Sequence, residues 1–240
     1  LQLDRPSLII EVGPGRGMLT RYLLEGTDKL LCVEIDPQLA ENLPLLLDNP
    51  LALKVIEADF MKLDLNKTLN QYPDHYKGII GNLPYHITSP ILFKTLEQAA
   101  LLKQGVFMIQ KEVAQRIAAD PGSKTYGILS VFTQLYAKVE YLFTVSAHLF
   151  SPPPRVDSGV IRLSFIPDAE SQLLNSALFR EIVRFTFGQR RKMLRNTLSA
   201  LYPHFILKQL IIDLTRRPES LSVDEFVDLA NQLQRIQKSS

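Results

Sequence analysis

No stretch of the sequence approaches the ~20 consecutive apolar residues that a membrane-spanning helix requires, and no charged start leads into an apolar signal stretch. A soluble cytoplasmic protein is therefore the expectation. Cysteine is nearly absent: Cys32 is the only one, which excludes intrachain disulfides and multi-cysteine zinc sites. Lying in an apolar strand, Cys32 reads as core. Excess charge is also lacking. A formal net charge of +2 cannot by itself indicate a nucleic-acid partner, so the distribution of charge has to carry that question. There is no internal repeat and no low-complexity tract, which excludes repeat architectures. The chain does not open on Met, and its first strand follows Leu1 within a few residues, so a leader segment ahead of it is expected.

What is present is an ordinary globular composition, 46% hydrophobic and 22% charged over 240 residues, enough for one domain or for a larger one with a small appendage. Over residues 7–112, short β-rich apolar runs alternate with longer amphipathic ones, the pattern of βα units on a parallel sheet. Strands are predicted at 8–12, 29–34, 53–57, 78–80 and 106–109. Helices are predicted at 18–25, at 38–47 with Pro37 in the first turn, at about 90–102, and at 111–119. Residues 137–144 and 158–165 suit an antiparallel pair at the sheet edge, with the stiff Pro152-Pro153-Pro154 connector between them. Beyond Pro167 the apolar residues recur at helical spacing, and Pro203 and Pro218 punctuate three or four helices. The expected organisation is an α/β domain over residues 1–167, with a Rossmann-like, mostly parallel sheet, and a small all-α domain over 168–240.

The segment Glu11-Val12-Gly13-Pro14-Gly15-Arg16-Gly17 follows an apolar strand and precedes a helix, where glycines let backbone approach a bound nucleotide closely. A dinucleotide fingerprint would place its third glycine at position 18. Met18 stands there, which weakens a pyrophosphate-binding reading. A G-x-G-x-G loop suits S-adenosyl-L-methionine, which carries no phosphate. Glu34 ends the second strand 21 residues after Gly13, where a carboxylate can accept from both ribose hydroxyls. Asp59 follows the third strand. Each feature also has a plainer reading, a tight turn or a helix-capping acid; their order along the chain favours a nucleotide-type cofactor.

Asn82-Leu83-Pro84-Tyr85 follows the fourth strand, and open α/β sheets gather ligands at the carboxyl ends of their strands. It matches the signature of amino methyltransferases, although four residues alone also describe an ordinary turn. The amino nitrogen of adenine is a poor nucleophile because its lone pair is delocalised into the ring. The Asn82 side-chain oxygen and the Leu83 carbonyl can accept its two hydrogens and favour a pyramidal nitrogen whose lone pair faces a methyl donor. Pro84 fixes the backbone without adding an N–H donor, and Tyr85 offers a face on which an extruded base can stack. No dedicated general base is required, because the methylated ammonium is acidic enough to lose its proton after transfer. Charge is uneven farther on. Residues 182–212 contain six basic residues and no acidic ones, with Arg190, Arg191, Lys192 and Arg195 grouped around one expected helical turn. Phosphate contact or a solvated helix face both account for them. Lys111, Arg116, Lys124 and Arg155 flank the expected catalytic mouth and can extend a basic track.

These motifs together with Gln110-Lys111-Glu112-Val113-Ala114, Gly122-Ser123-Lys124-Thr125-Tyr126-Gly127, Phe150-Ser151-Pro152-Pro153-Pro154-Arg155-Val156-Asp157-Ser158 and Phe187-Gly188-Gln189-Arg190-Arg191-Lys192-Met193-Leu194-Arg195-Asn196 cover most of the chain. On them the sequence resembles the small-subunit ribosomal RNA adenine N6-dimethyltransferases of the KsgA type. The resemblance implies dimethylation of two adjacent adenines in the 3′-terminal hairpin of 16S-type RNA, with S-adenosyl-L-methionine as donor and the pre-30S particle as partner. It further implies a role in small-subunit biogenesis, a monomer and no metal. Glu11, Gly13, Gly15, Glu34 and Asn82 would then contact the cofactor, Asp59 would take its adenine amino group, and Ile35 and Phe60 would flank the ring. Phe150 would pack on the target adenine opposite Tyr85. The basic residues named above would hold RNA, with 168–240 as the RNA-binding domain. The family also carries a Gln-Asn-Phe-Leu segment ahead of the first strand, and this sequence begins after it. The nearest enzyme rival is the antibiotic-resistance type that methylates one large-subunit adenine. From another class, an assembly or transcription factor can keep the fold as an RNA-binding platform without catalysis.

Overall fold

Residues Ser7–Val12 are buried without a break, the signature of a parallel strand covered on both faces, and they form β1. In the computed structural model, which describes residues 6–47 and 51–239, six further strands follow. They are β2 (Lys29–Glu34), β3 (Leu53–Glu57), β4 (Tyr76–Asn82), β5 (Gln104–Gln110), β6 (Ala137–Val145) and β7 (Ser158–Phe165). The sheet order is β3-β2-β1-β4-β5-β7-β6, with β1 to β5 parallel and β7 antiparallel to both of its neighbours. The direction of winding reverses between β1 and β4, so the carboxyl ends of these two strands flank the crevice that ligands use in such sheets.

Five helices accompany these strands: α1 (Thr20–Gly26), α2 (Pro37–Asn42), α3 (Leu65–Asn70), α4 (Thr88–Leu96) and α5 (Lys111–Ile117). The Asp36 side chain accepts from the amides of Gln38 and Leu39, and Pro37 fills the first helical position, so α2 starts directly at the end of β2. Pro44 follows α2 and opens a short 3₁₀ turn, Pro44–Leu46, where the sequence predicts continuous helix to residue 47. One cluster of the core joins Ile9, Leu24, Leu30, Cys32, Leu43 and Ile80, so the lone cysteine is packed as expected.

Contacts divide the chain into two compact units, Leu1–Ala114 with Tyr136–Pro167, and Gln115–Leu135 with Asp168–Ser240. The second unit thus includes a segment that the sequence pattern left with the sheet. Its helices are most of α6 (Ile128–Tyr136), then α7 (Ser176–Gly188), α8 (Leu194–Leu198), α9 (His204–Leu207) and α10 (Val223–Ser239). Aromatic packing explains the regrouping. Phe132 of α6 meets Phe179 of α7 edge-on at 6.0 Å between centroids, and Phe187 contacts both Tyr126 and Phe226.

Two expectations need correction. The α3 and α6 helices lie where none was predicted. The basic group Arg190-Arg191-Lys192 does not lie on a helix: α7 stops at Gly188, and residues 189–192 form a turn closed by the Lys192 amide on the Gln189 carbonyl at 2.8 Å.

Gly81 of β4 sits opposite Val12 of β1. A Cβ there would stand 2.9 Å from the Val12 carbonyl oxygen and 2.9 Å from Leu83 Cδ2. Backbone cannot yield as a flexible side chain does, so Gly81→Ala is expected to lower the unfolding free energy by about 1–3 kcal/mol, measured by urea denaturation. An unchanged midpoint would show that the strands separate freely.

Candidate active site and nucleic-acid interface

The loop after β1 is built from glycines with positive φ, 66° at Gly13 and 56° at Gly15, and nothing lies within 4 Å of where a Cβ would stand on either. Both the left-handed backbone and the open space fit a surface that a ligand covers. The donors of this loop are turned inward. The Gly13 amide donates to the Val33 carbonyl at 2.9 Å, Gly17 to the Pro14 carbonyl at 3.0 Å, and Gly15 to Glu34 Oε2 at 3.0 Å. A pyrophosphate would need those amides.

Glu34 is only 6% exposed, and its other oxygen accepts from the amides of Ile35 at 2.9 Å and Asp36 at 3.0 Å. Four lone-pair positions on a carboxylate leave room for a ribose hydroxyl beside these three bonds. Asp59, half-buried after β3, uses Oδ1 on the Met61 amide at 2.8 Å. The Lys94 ammonium of α4 holds the same loop by donating to the Met61 carbonyl at 2.8 Å and the Leu63 carbonyl at 2.5 Å. Ile35 and Met18 expose 66% and 65% of their surface. Acceptor carboxylates, exposed aliphatic side chains and amides engaged elsewhere fit a nucleoside with a positively charged sulfonium better than a phosphorylated one.

Two of the expected cofactor residues are buried. Glu11 is 2% exposed within β1 and accepts from the Cys32 thiol of β2 at 3.4 Å. Phe60 is 6% exposed, with the Lys94 ammonium 5.7 Å from its ring centroid. Neither burial was visible in the sequence, where both residues are simply neighbours of the motif acids.

At the other side of the switch point, Asn82 ends β4 with its side chain exposed, and the Leu83 amide donates to the Met108 carbonyl at 3.0 Å. Its carbonyl and Asn82 therefore stand at the carboxyl end of the sheet, one strand from the glycine loop. Tyr85 begins a 3₁₀ turn and is half-buried; its hydroxyl lies 3.0 Å from Ser158 Oγ and 3.5 Å from the Val156 carbonyl at the start of β7. Phe150 is half-buried and closes the 3₁₀ turn Ala147–Leu149, its amide donating to the Ala147 carbonyl. Sequence reasoning passed over Ser158 and Asp157 as mere motif letters.

Of the basic residues, Arg155 is exposed in the first unit, whereas Lys111 is partly covered and faces Asp157 at 3.6 Å. In the second unit Arg116, Lys124, Arg191, Lys192 and Arg195 are exposed. Arg190 is not free in the way the expectation required. Its Nε donates to Glu219 at 2.6 Å and its Nη2 to the carbonyls of Lys124 at 2.6 Å and Ser123 at 3.3 Å, so it clamps the unit internally.

A mostly parallel sheet with this loop, these acids and a post-β4 Asn-Leu-Pro-Tyr defines a class I, Rossmann-like S-adenosylmethionine-dependent methyltransferase. The family model described as ribosomal RNA adenine dimethylase matches residues 1–235, and the chain belongs to that family. Among relatives, a ribosomal RNA small subunit methyltransferase A of Phocaeicola vulgatus is 46% identical over 96% of this chain and 81% of its own length. Among solved structures, a dimethyladenosine transferase from Plasmodium falciparum superposes with a TM-score of 0.81 at 24% identity, covering 99% of this chain and 92% of that one, a likeness of fold. The 23S rRNA methyltransferase ErmE gives 0.72 at 26% identity, covering 97% and 93%. No described helix is long and apolar enough to cross a membrane.

Burial pushes the Glu11 carboxyl above its ordinary range, with the hydrogen bonds of Thr20 and Cys32 opposing the shift. An acid raised in the folded state costs stability as pH climbs from its unfolded pKa through the folded one. Glu11→Gln, which removes that ionisation and keeps an acceptor for Cys32, is therefore expected to gain on the parent as pH rises above the ordinary carboxylate range. Thermal denaturation as a function of pH checks it; parallel melting-temperature curves would contradict a buried, reluctant acid.

Proposed function

We propose that the protein uses S-adenosyl-L-methionine to dimethylate the N6 of two adjacent adenines in the 3′-terminal hairpin of small-subunit ribosomal RNA. On this reading it acts as a monomer on the pre-30S particle in the cytoplasm. The observation that carries it is the exposed Asn82 and the Leu83 carbonyl at the end of β4, one strand from the open glycine loop at the end of β1.

Bound over that loop, S-adenosyl-L-methionine supplies an electrophilic methyl group on a sulfonium. Gly13 and Gly15 let it approach the backbone, Glu34 accepts from its ribose, Asp59 from its adenine amine, and Ile35 covers an apolar face. Asn82 Oδ1 and the Leu83 carbonyl accept the two hydrogens of the target amine, which turns its lone pair toward the methyl. Tyr85 and Phe150 hold the extruded base between aromatic faces. The proton lost after transfer needs no dedicated base. Arg191, Lys192 and Arg195 in the second unit, with Arg116, Lys124 and Arg155, provide phosphate contacts, while Arg190 contributes by holding the turn that displays its neighbours.

Asn82→Ala is expected to reduce methyl transfer by about 10²–10³-fold, the scale for losing one oriented polar contact in an active site, while RNA affinity stays within a few fold. Primer-extension mapping on 30S particles reads both the loss and the position. Retained turnover would remove this mechanism, and modification confined to the large subunit would assign the chain to the rival enzyme type. Separately, Arg191→Glu with Lys192→Glu should weaken RNA binding and flatten its dependence on salt, each lost phosphate contact reducing the slope by about 1, without altering cofactor affinity. Equal loss of both affinities would count against a phosphate-binding turn.

A further inference from the structure

The residues that touch a base are not the ones that decide where the two aromatic walls stand. Val156, Asp157 and Ser158 lead into β7, and this short segment reaches to both. On one side, Ser158 Oγ, on a residue only 1% exposed, lies 3.0 Å from the Tyr85 hydroxyl, which also reaches the Val156 carbonyl at 3.5 Å. With the Tyr85 proton on the Val156 carbonyl, the Ser158 hydroxyl donates to the Tyr85 oxygen, and the two bonds fix both the tilt of the ring and its distance from β7.

On the other side, Asp157 Oδ1 accepts the amide of Ala147 at 3.2 Å, the first residue of the turn whose carbonyl accepts the Phe150 amide at 3.2 Å. The Asp157 carbonyl accepts the Lys111 amide at 3.0 Å, and Asp157 Oδ2 faces the Lys111 ammonium at 3.6 Å. These bonds anchor the segment to the end of β5. Ser158 itself sits opposite Gln110 of β5 and Val145 of β6, within the sheet rather than in a loose loop.

We propose that Asp157 and Ser158 are positioning residues for methyl transfer, setting from one anchored segment the placement of both aromatic walls that receive the target adenine. Ser158 acts through Tyr85 and Asp157 through the Ala147 turn and Phe150. This rests on the reading of Tyr85 and Phe150 as a base clamp. It adds that the width of the clamp is set by β7, and that a defect in either positioning residue appears in turnover of bound RNA rather than in cofactor capture.

The test uses the full chain, S-adenosyl-L-methionine and an RNA hairpin of the small-subunit 3′ end, with a second hairpin carrying 2-aminopurine at the target position to report base stacking. Ser158→Ala is expected to lower kcat about five- to tenfold, the range for losing one hydrogen bond, with KM for the cofactor unchanged and the 2-aminopurine signal altered. Tyr85→Phe removes the same bond from the half-buried side, so the double variant should be no worse than the poorer single variant. Should Ser158→Ala fail to fold, Tyr85→Phe alone carries this arm, and a kcat equal to that of the parent overturns it. Asp157→Ala is expected to lower kcat in the same way. Asp157→Asn, which keeps an oxygen for the Ala147 amide, should rescue most of that loss, and Asp157→Ala should cost nothing further when Phe150 is already Ala.

Additive effects of Ser158→Ala and Tyr85→Phe, or a rise in cofactor KM in place of the kcat loss, would overturn the proposal. Tyr85→Ala and Phe150→Ala distinguish the two levels. If neither changes the 2-aminopurine signal, the clamp reading fails; if both do while Ser158→Ala and Asp157→Ala do not, the clamp stands and the positioning role falls.

Discussion

The carboxylate of Glu34 accepts hydrogen bonds from the amides of Gly15, Ile35 and Asp36, tying the glycine loop after β1 to the end of β2. A buried carboxylate is tolerated only when such donors surround it. Here the same bonds decide what the loop can hold. With the Gly15 amide turned toward Glu34, and those of Gly13 and Gly17 on the Val33 and Pro14 carbonyls, the pocket offers acceptors and open backbone rather than a nest of N–H donors. Such a surface suits a positively charged nucleoside better than a phosphorylated one. The choice of cofactor class thus follows from one hydrogen-bonded junction between two adjacent strands.

Much of the sheet was legible because strand periodicity and burial coincide. β2, β3 and β7 fall at residues 29–34, 53–57 and 158–165, as the apolar runs predict. The α3 helix escaped because six residues, Leu-Asn-Lys-Thr-Leu-Asn, are too few to show a period; its one local signal is Asp64, which accepts the Lys67 amide at 2.9 Å. The α6 helix escaped for a different reason. Ile128–Tyr136 is short and rich in β-branched and aromatic residues, which suit a strand as well as a helix, and its polar Ser130 and Thr133 are themselves buried. In the candidate site, motif order located Glu34, Asp59 and Asn82, but burial and distant partners were out of reach. Glu11 is buried against Cys32, and Arg190 meets Glu219, 29 residues away, a pairing that no local pattern announces.

The two halves of the chemistry are carried by different kinds of support. The cofactor side is held by backbone amides and by carboxylates at strand ends, all within the first three βα units. The proposed base side draws on residues distant in the chain: Asn82 and Tyr85 after β4, Phe150 before the proline run, and Ser158, which opens β7 and meets Tyr85. Lys94 links the two, since it rises from the helix that follows Tyr85 and grips the carbonyls of the loop that carries Asp59.

The place of β7 bears on how the chain acquires its shape. Among the described residues β6 pairs only with β7, and β7 enters against β5 in the antiparallel sense after the intervening segment has looped out. Tyr85 and Ser158 are separated by 73 residues of chain, so bringing them together carries the loop-closure cost of a long-range contact, as does pairing β1 with β4. During synthesis β1 to β5 emerge first, and the pairing of β5 with β7 waits for residues 158–165 to follow. A nascent chain would therefore expose Tyr85 before Ser158 is available to meet its hydroxyl.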